Sequence, residues 1–131
     1  HSTSSAASDV YKRQVITKGL VKLGLLDGDP EELHKSGAYK EFYMHKIGHW
    51  LGLDVHDAGD YVEGEEYMKF KPGMITTIEP GIYISSSMDV DDKWKGIGVR
   101  IEDDILVTKD GNENLTKKVP SDPEEIESLM S

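Results

Sequence analysis

The sequence contains no cysteine. Disulfide frameworks, zinc–thiolate fingers and cysteine nucleophiles are therefore excluded. No apolar run approaches the ~20 residues that a membrane-spanning helix needs. Positive charge is scarce: 15 Lys and Arg stand against 25 Asp and Glu, for a formal charge of −10. A nucleic-acid binder needs a basic face to neutralise phosphates, so that class is excluded as well. What remains is ordinary. Hydrophobic residues make up 37% and charged residues 31% of 131 positions, the composition and length of one soluble domain.

The first residue is histidine, and residues 1–14 read HSTSSAASDVYKRQ. They lack the charged, apolar and cleavage regions of a secretory signal. Their Ser/Ala-rich composition resembles translated adapter or vector sequence, with a flexible native terminus as the alternative. The expectation is a non-native or disordered leader over 1–14 and a fold carried by 15–131.

Along the rest of the chain, residues 15–26 place Ile16, Leu20 and Leu23 on one helical face, ending at Asp27–Asp29. The letters DPEE follow at 29–32 and return at 122–125. In each, Asp can cap, Pro suits the first helical position and the second Glu the third. Helices are expected from there to about His34 and to about Met130. Between them the period changes. MITTIEPGIYI (74–84) is β-branched with a break at Pro80–Gly81, and GIGVRIEDDILV (96–107) alternates. The alternation predicts a strand with Ile97, Val99 and Ile101 on a buried face and Arg100, Glu102 and Asp104 on a polar one. Asp110–Gly111 is a turn signal before a last strand near Glu113–Thr116. The class is α+β, with antiparallel strands and flanking helices.

Three of the five histidines, His45, His49 and His56, fall in YMHKIGHWLGLDVHD. The spacing of His45 and His49 matches a zinc helix of HExxH type, but Lys46 stands where that motif needs glutamate. Gly48 and Gly52 each disfavour a helix by about 1 kcal/mol. A turn or bulged strand presenting the imidazoles fits better. Two readings stand on this segment: a metal or catalytic site, or packed and hydrogen-bonded histidines. Glu79 precedes Pro80, which holds it extended among apolar neighbours, and a buried charge needs a partner or a metal. Its alternative is a strand-end glutamate facing water. Glu102 shares a strand face with Arg100, and a solvated ion pair is its alternative. Taken together, one imidazole and two carboxylates on three segments suit Mn, Fe, Co or Zn.

In order, HKIGHWLGLDVHD, GMITTIEPGIYI and GIGVRIEDDILVTKDGNENLT resemble the C-terminal half of the pita-bread metallopeptidases. The likeness is greatest to the Xaa-Pro aminopeptidases (aminopeptidase P), with the Xaa-Pro dipeptidases (prolidases) next. It implies the C-terminal half of a pita-bread fold, with a curved antiparallel sheet and flanking helices. It also implies two divalent ions, Mn²⁺ first and Co²⁺, Zn²⁺ or Fe²⁺ as alternatives, held by His49, Glu79 and a bridging Glu102. His45 and His56 lie near the substrate in this family, Arg100 shapes the pocket, and Glu79 shuttles a proton. Asp57 and Asp104 are expected to be structural. The ions lower the pKa of a water, so a nucleophile exists near neutral pH. The implied substrate is a peptide with proline second, cleaved before that proline, in the cytoplasm.

The family's metal centre has two further aspartate ligands and another substrate histidine in its first half, and no such strand pair follows residue 14. The implied partner is that missing N-terminal half, with homo-oligomers common among such enzymes. The fragment alone is expected to bind metal poorly and to leave peptides uncut. Creatinase-like and methionine aminopeptidase relatives fit the motifs less well. An alternative from another class is a non-catalytic pita-bread module that binds peptides or proteins, which the three intact ligand positions argue against.

Overall fold

The structure is a computed structural model that describes residues 5–131. Within them, helix α1 spans Ser5–Lys22 and α2 Pro30–Ser36. Short strands follow: β1 (Val62–Glu63), β2 (Glu66–Tyr67), β3 (Ile75–Ile78), β4 (Gly81–Tyr83), β5 (Gly98–Arg100), β6 (Asp103–Val107) and β7 (Asn112–Asn114). Helix α3 (Pro123–Met130) closes the chain. The strands form the hairpin β1–β2, the sheet β3–β6–β7 and the pair β4–β5. Every pairing is antiparallel, so the α+β class holds.

Both DPEE segments start helices as expected. Asp29 Oδ1 accepts from the backbone N–H groups of Glu31 and Glu32, each at 3.1 Å. Asp122 Oδ1 does the same for Glu124 at 3.0 Å and Glu125 at 3.2 Å. These bonds satisfy donors that the first turn leaves free.

Helix α1 departs from expectation at both ends. It stops at Lys22 rather than running to Leu26, because Gly24 takes φ +76°. Leu25 N–H then reaches the Leu20 carbonyl at 2.9 Å, and Gly24 N–H that of Val21 at 3.0 Å. This left-handed glycine ending closes the helix with its last carbonyls satisfied. Leu23 is therefore exposed, and Leu25 takes its place in the core. At the other end, α1 begins at Ser5, within the expected leader, and passes through position 15 unbroken. Ala7, Lys12, Arg13 and Gln14 are good helix formers. Thr17 Oγ1 donates to the Arg13 carbonyl at 2.8 Å, across the expected boundary. Positions 1–4 of the expected leader lie outside the described residues.

The strand expected over 96–107 is two strands in different sheets. Strand β5 pairs with β4 and β6 with β3, and the break falls at Ile101–Glu102. The face expected to be buried is open: Ile97 is 40%, Val99 53% and Ile101 48% exposed. Alternation was read correctly as strand, but burial depends on a second layer, and within the described residues no layer covers this face. The last strand sits at Asn112–Asn114, slightly earlier than expected.

The core gathers Leu20, Leu25, Tyr39, Phe42, Tyr43, Ile47 and Ile84, with Ile78, Ile82 and Trp94 packed against it. One polar atom in it is unmatched. The Tyr43 hydroxyl has no hydrogen-bond partner among the described residues, and burial pushes its pKa upward. A buried unpaired hydroxyl costs about 1–3 kcal/mol. Tyr43→Phe should therefore stabilise the chain by about 1 kcal/mol in urea unfolding near neutral pH. The raised pKa means the neutral phenol is favoured by folding, so this part of the stability is complete below the ordinary value of 10.0 and declines as pH rises above it. The variant should accordingly lose part of the alkaline sensitivity of its parent.

Candidate metal centre

Two breaks in the strands face each other. Register pairs Ile78 with Asp103 across β3–β6 and Gly81 with Arg100 across β4–β5. The chain switches sheets at Glu79–Pro80 on one side and at Ile101–Glu102 on the other, where Ile101 N–H reaches the Pro80 carbonyl at 3.2 Å. Two carboxylates are thereby set side by side. The histidine segment lies along β3 on its free side, through the bridge Trp50–Thr76 and the bonds Thr77 N–H to His49 carbonyl (2.9 Å) and Glu79 N–H to Ile47 carbonyl (2.7 Å). It is an irregular bridged segment, as the glycines predicted. Gly48 lies so close to β3 that a Cβ there would strike the Thr77 carbonyl.

His49, Glu79 and Glu102 each offer a ligand atom, and these atoms all lie within 4.8 Å of one another. His49 Nδ1 sits 3.0 Å from the Trp50 carbonyl. A carbonyl only accepts, so Nδ1 carries the proton and neutral His49 turns its lone pair out through Nε2. That lone pair faces Glu79 Oε1 at 3.4 Å. Two acceptors at this separation need a proton or a cation between them. Nitrogen and carboxylate oxygen are the donors that hard and borderline divalent ions take. The residues therefore fit a divalent metal. His49 and Glu79 are mostly buried and Glu102 is exposed at the rim.

The remaining expected residues surround this group. Arg100 Nε donates to the Tyr83 hydroxyl at 2.8 Å and lies 3.8 Å from Glu79 Oε2. The hydrogen bond to Tyr83 holds the guanidinium pKa above its usual value. His45 Nδ1 donates to the Lys46 carbonyl at 2.7 Å, so its Nε2 accepts from the Tyr83 hydroxyl at 2.8 Å. The exposed His56 ring meets His49 edge-on, with centroids 4.5 Å apart. Asp57 accepts from Asp54 N–H at 3.4 Å, and Asp104 lies opposite Thr77 on β6.

Two polar residues of the site had gone unread. Tyr83 links Arg100 to His45. Its ring folds back over Gly81, where a Cβ would strike it. The buried Thr77 Oγ1 accepts from His49 N–H at 3.0 Å and stands 3.3 Å from Glu79 Oε1. The available signal was period 2: Thr77 and Glu79 share one side of the strand, as do Gly81 and Tyr83. A groove of about 720 Å³ between α1 and the β3–β6 sheet is lined by Phe70, Ile78, Ile105 and Val107 among others. It holds none of the candidate ligands and no comparable set of titratable groups, so the chemistry is placed at His49, Glu79 and Glu102.

The chain is 51% identical over 117 residues to the Xaa-Pro aminopeptidase of Escherichia coli K12, covering 89% of this chain and 26% of that protein. Among solved structures, aminopeptidase PepP of Pseudomonas aeruginosa superposes with a TM-score of 0.87 at 58% identity, over 90% of this chain and 27% of that one. A zinc-substituted E. coli aminopeptidase P in complex with product gives 0.91 at 48% identity, over 98% of this chain and 29% of that one. The chain thus spans about a quarter of the length of the curated relative. Residues 5–109 match the family directly, and the chain belongs to metallopeptidase family M24, with the pita-bread fold of its C-terminal part.

Proposed function

We propose that this chain, over residues 15–131, is the C-terminal part of the catalytic domain of a dinuclear Xaa-Pro aminopeptidase. The observation that carries the reading is the convergence of His49 Nε2 and Glu79 Oε1, 3.4 Å apart, with Glu102 in reach. His49, Glu79 and Glu102 would hold two divalent ions, Mn²⁺ in preference to Co²⁺, Zn²⁺ or Fe²⁺. When bound, the ions supply Lewis acidity and a water activated near neutral pH.

The chain's own residues do the rest. The Glu79 carboxylate takes a proton and returns it to the leaving amine. His56 donates to the scissile carbonyl oxygen as it gains charge, and His45, whose Nε2 accepts from the Tyr83 hydroxyl, stands beside the substrate. Tyr83, itself held by Arg100, donates to His45 Nε2 and so fixes that ring before substrate arrives. The substrate is a peptide with proline second, and the remaining ligands come from the N-terminal half of the same protein. The longer protein is read as cytoplasmic. Within the described residues no helix is long and apolar enough to cross a membrane.

The test is a graft. The aligned segment replaces its counterpart in the E. coli Xaa-Pro aminopeptidase, and release of the first residue from an Xaa-Pro peptide is followed with and without Mn²⁺. The graft should be active and Mn²⁺-dependent, and the 131-residue chain alone should be inactive. A folded, metal-loaded graft without activity would overturn the assignment, as would turnover by the chain alone.

A further inference from the structure

We propose that Tyr61 is a positioning residue for the candidate ligand His49, acting through Trp50. The inference rests on the metal reading only for its consequence, not for its geometry. His49 can bind a cation through Nε2 only while its proton stays on Nδ1, and the Trp50 carbonyl keeps it there at 3.0 Å. That carbonyl also accepts from Asp57 N–H at 3.1 Å. The placement of Trp50 therefore decides which nitrogen of His49 is bare.

Trp50 is bridged to Thr76 of β3 and meets the Phe70 ring edge-on at 6.1 Å, and on its other side it is held by Tyr61 and its neighbour. Its backbone N–H donates to the Tyr61 hydroxyl at 3.2 Å. Its indole stacks on the Tyr61 ring, with centroids 5.5 Å apart and planes 12° from parallel. Its Nε1 donates to the carbonyl of Asp60, the neighbour of Tyr61, at 3.1 Å. Tyr61 is braced in turn by Lys46, whose ammonium lies 4.9 Å from the ring centroid, a cation–π distance. Lys46 is the residue that stands where a zinc-helix motif would have its glutamate, and here its charge serves the tyrosine. A line of contacts runs from the loop before β1, through the Tyr61 hydroxyl and the Trp50 peptide, to His49 Nδ1. Tyr61 touches neither candidate ligand nor substrate position.

The experiment compares the ¹⁵N-labelled 131-residue chain with Tyr61→Phe, which keeps the ring and removes the hydroxyl. Tyr67→Phe, the same change on exposed β2, is the control. Long-range ¹H–¹⁵N spectra, recorded where the imidazoles are neutral, report the His49 tautomer. The parent and Tyr67→Phe should show one tautomer protonated at Nδ1, and Tyr61→Phe a mixture. Mn²⁺ is then titrated while broadening of the His49 ring signal is followed. Its midpoint should rise about 10-fold in Tyr61→Phe, the loss that follows when a ligand's supporting partner is removed.

An unchanged single tautomer in Tyr61→Phe would overturn the proposal. So would collapse of the whole amide spectrum in that variant, because the hydroxyl would then hold the fold rather than the imidazole. The fragment lacks the remaining ligands and should bind Mn²⁺ weakly, so the metal reading is decided on the graft, while the tautomer comparison decides the role of Tyr61.

Discussion

Glu79→Gln in the grafted aminopeptidase is expected to lower kcat/KM by about 10³-fold, the middle of the range for losing a positioned acid–base group. The Glu79 carboxylate sits between three groups. His49 Nε2 is 3.4 Å and Arg100 Nε 3.8 Å away, and Thr77 Oγ1 is 3.3 Å from the same oxygen that faces His49. Glutamine has the same size and can still accept from Thr77. What it loses is the negative charge that a cation needs, and the lone pairs that can take a proton and give it back. The chemical step should therefore suffer more than substrate binding, with kcat falling and KM changing little. Stability should hardly move, because Arg100 is about half exposed and such ion pairs are worth about 0–1 kcal/mol. Glu113→Gln on β7 supplies the same chemical change away from the site. Kinetics and metal content measured on both variants check the expectation. A Glu79→Gln enzyme with activity close to its parent would remove Glu79 from the proton path.

The sequence was most legible where structure is local. Asp29 and Asp122 cap helices through bonds that span two or three residues, so DPEE told both starts. Pro80 ended β3 for a reason held within its own peptide. The three candidate ligands were legible because their motifs arrive in order, and the structure does bring His49, Glu79 and Glu102 together. Less legible was whatever depends on distant partners. Tyr83 read as a strand aromatic, yet it meets His45 and Arg100 from 38 and 17 positions away. Thr77 read as a β-branched strand former, yet its hydroxyl supports a histidine 28 positions earlier. Strand period was visible at Ile97, Val99 and Ile101, but which side is covered is a property of the neighbouring layer. Gly24 lies inside the span expected to be helical, whereas its left-handed φ makes it the end of the helix.

Gly48→Ala is expected to cost about 3 kcal/mol, the upper end for forcing an extra group into a filled site, and to disturb His49 with it. The reason is what stands opposite. The new Cβ would strike the Thr77 carbonyl, a backbone atom of β3 that cannot rotate away while Thr77 stays paired with Asp104. Either β3 or the histidine segment must move. The contacts that would stretch are those that place the site: Thr77 N–H to His49 carbonyl at 2.9 Å, Glu79 N–H to Ile47 carbonyl at 2.7 Å, and His49 N–H to Thr77 Oγ1 at 3.0 Å. For a chain of this size the loss should lower Tm by roughly 10 °C. Gly19→Ala separates steric collision from any general effect of removing a glycine. Gly19 lies inside α1 with nothing within 4 Å of an added Cβ, so alanine there should stabilise by about 0.8–1 kcal/mol through helix propensity. Thermal unfolding of the two variants should therefore move in opposite directions from the parent. A Gly48→Ala chain that melts with its parent and keeps His49 Nδ1 on the Trp50 carbonyl would mean that β3 yields at no cost, and that close packing of the histidine segment does not fix the geometry of the site.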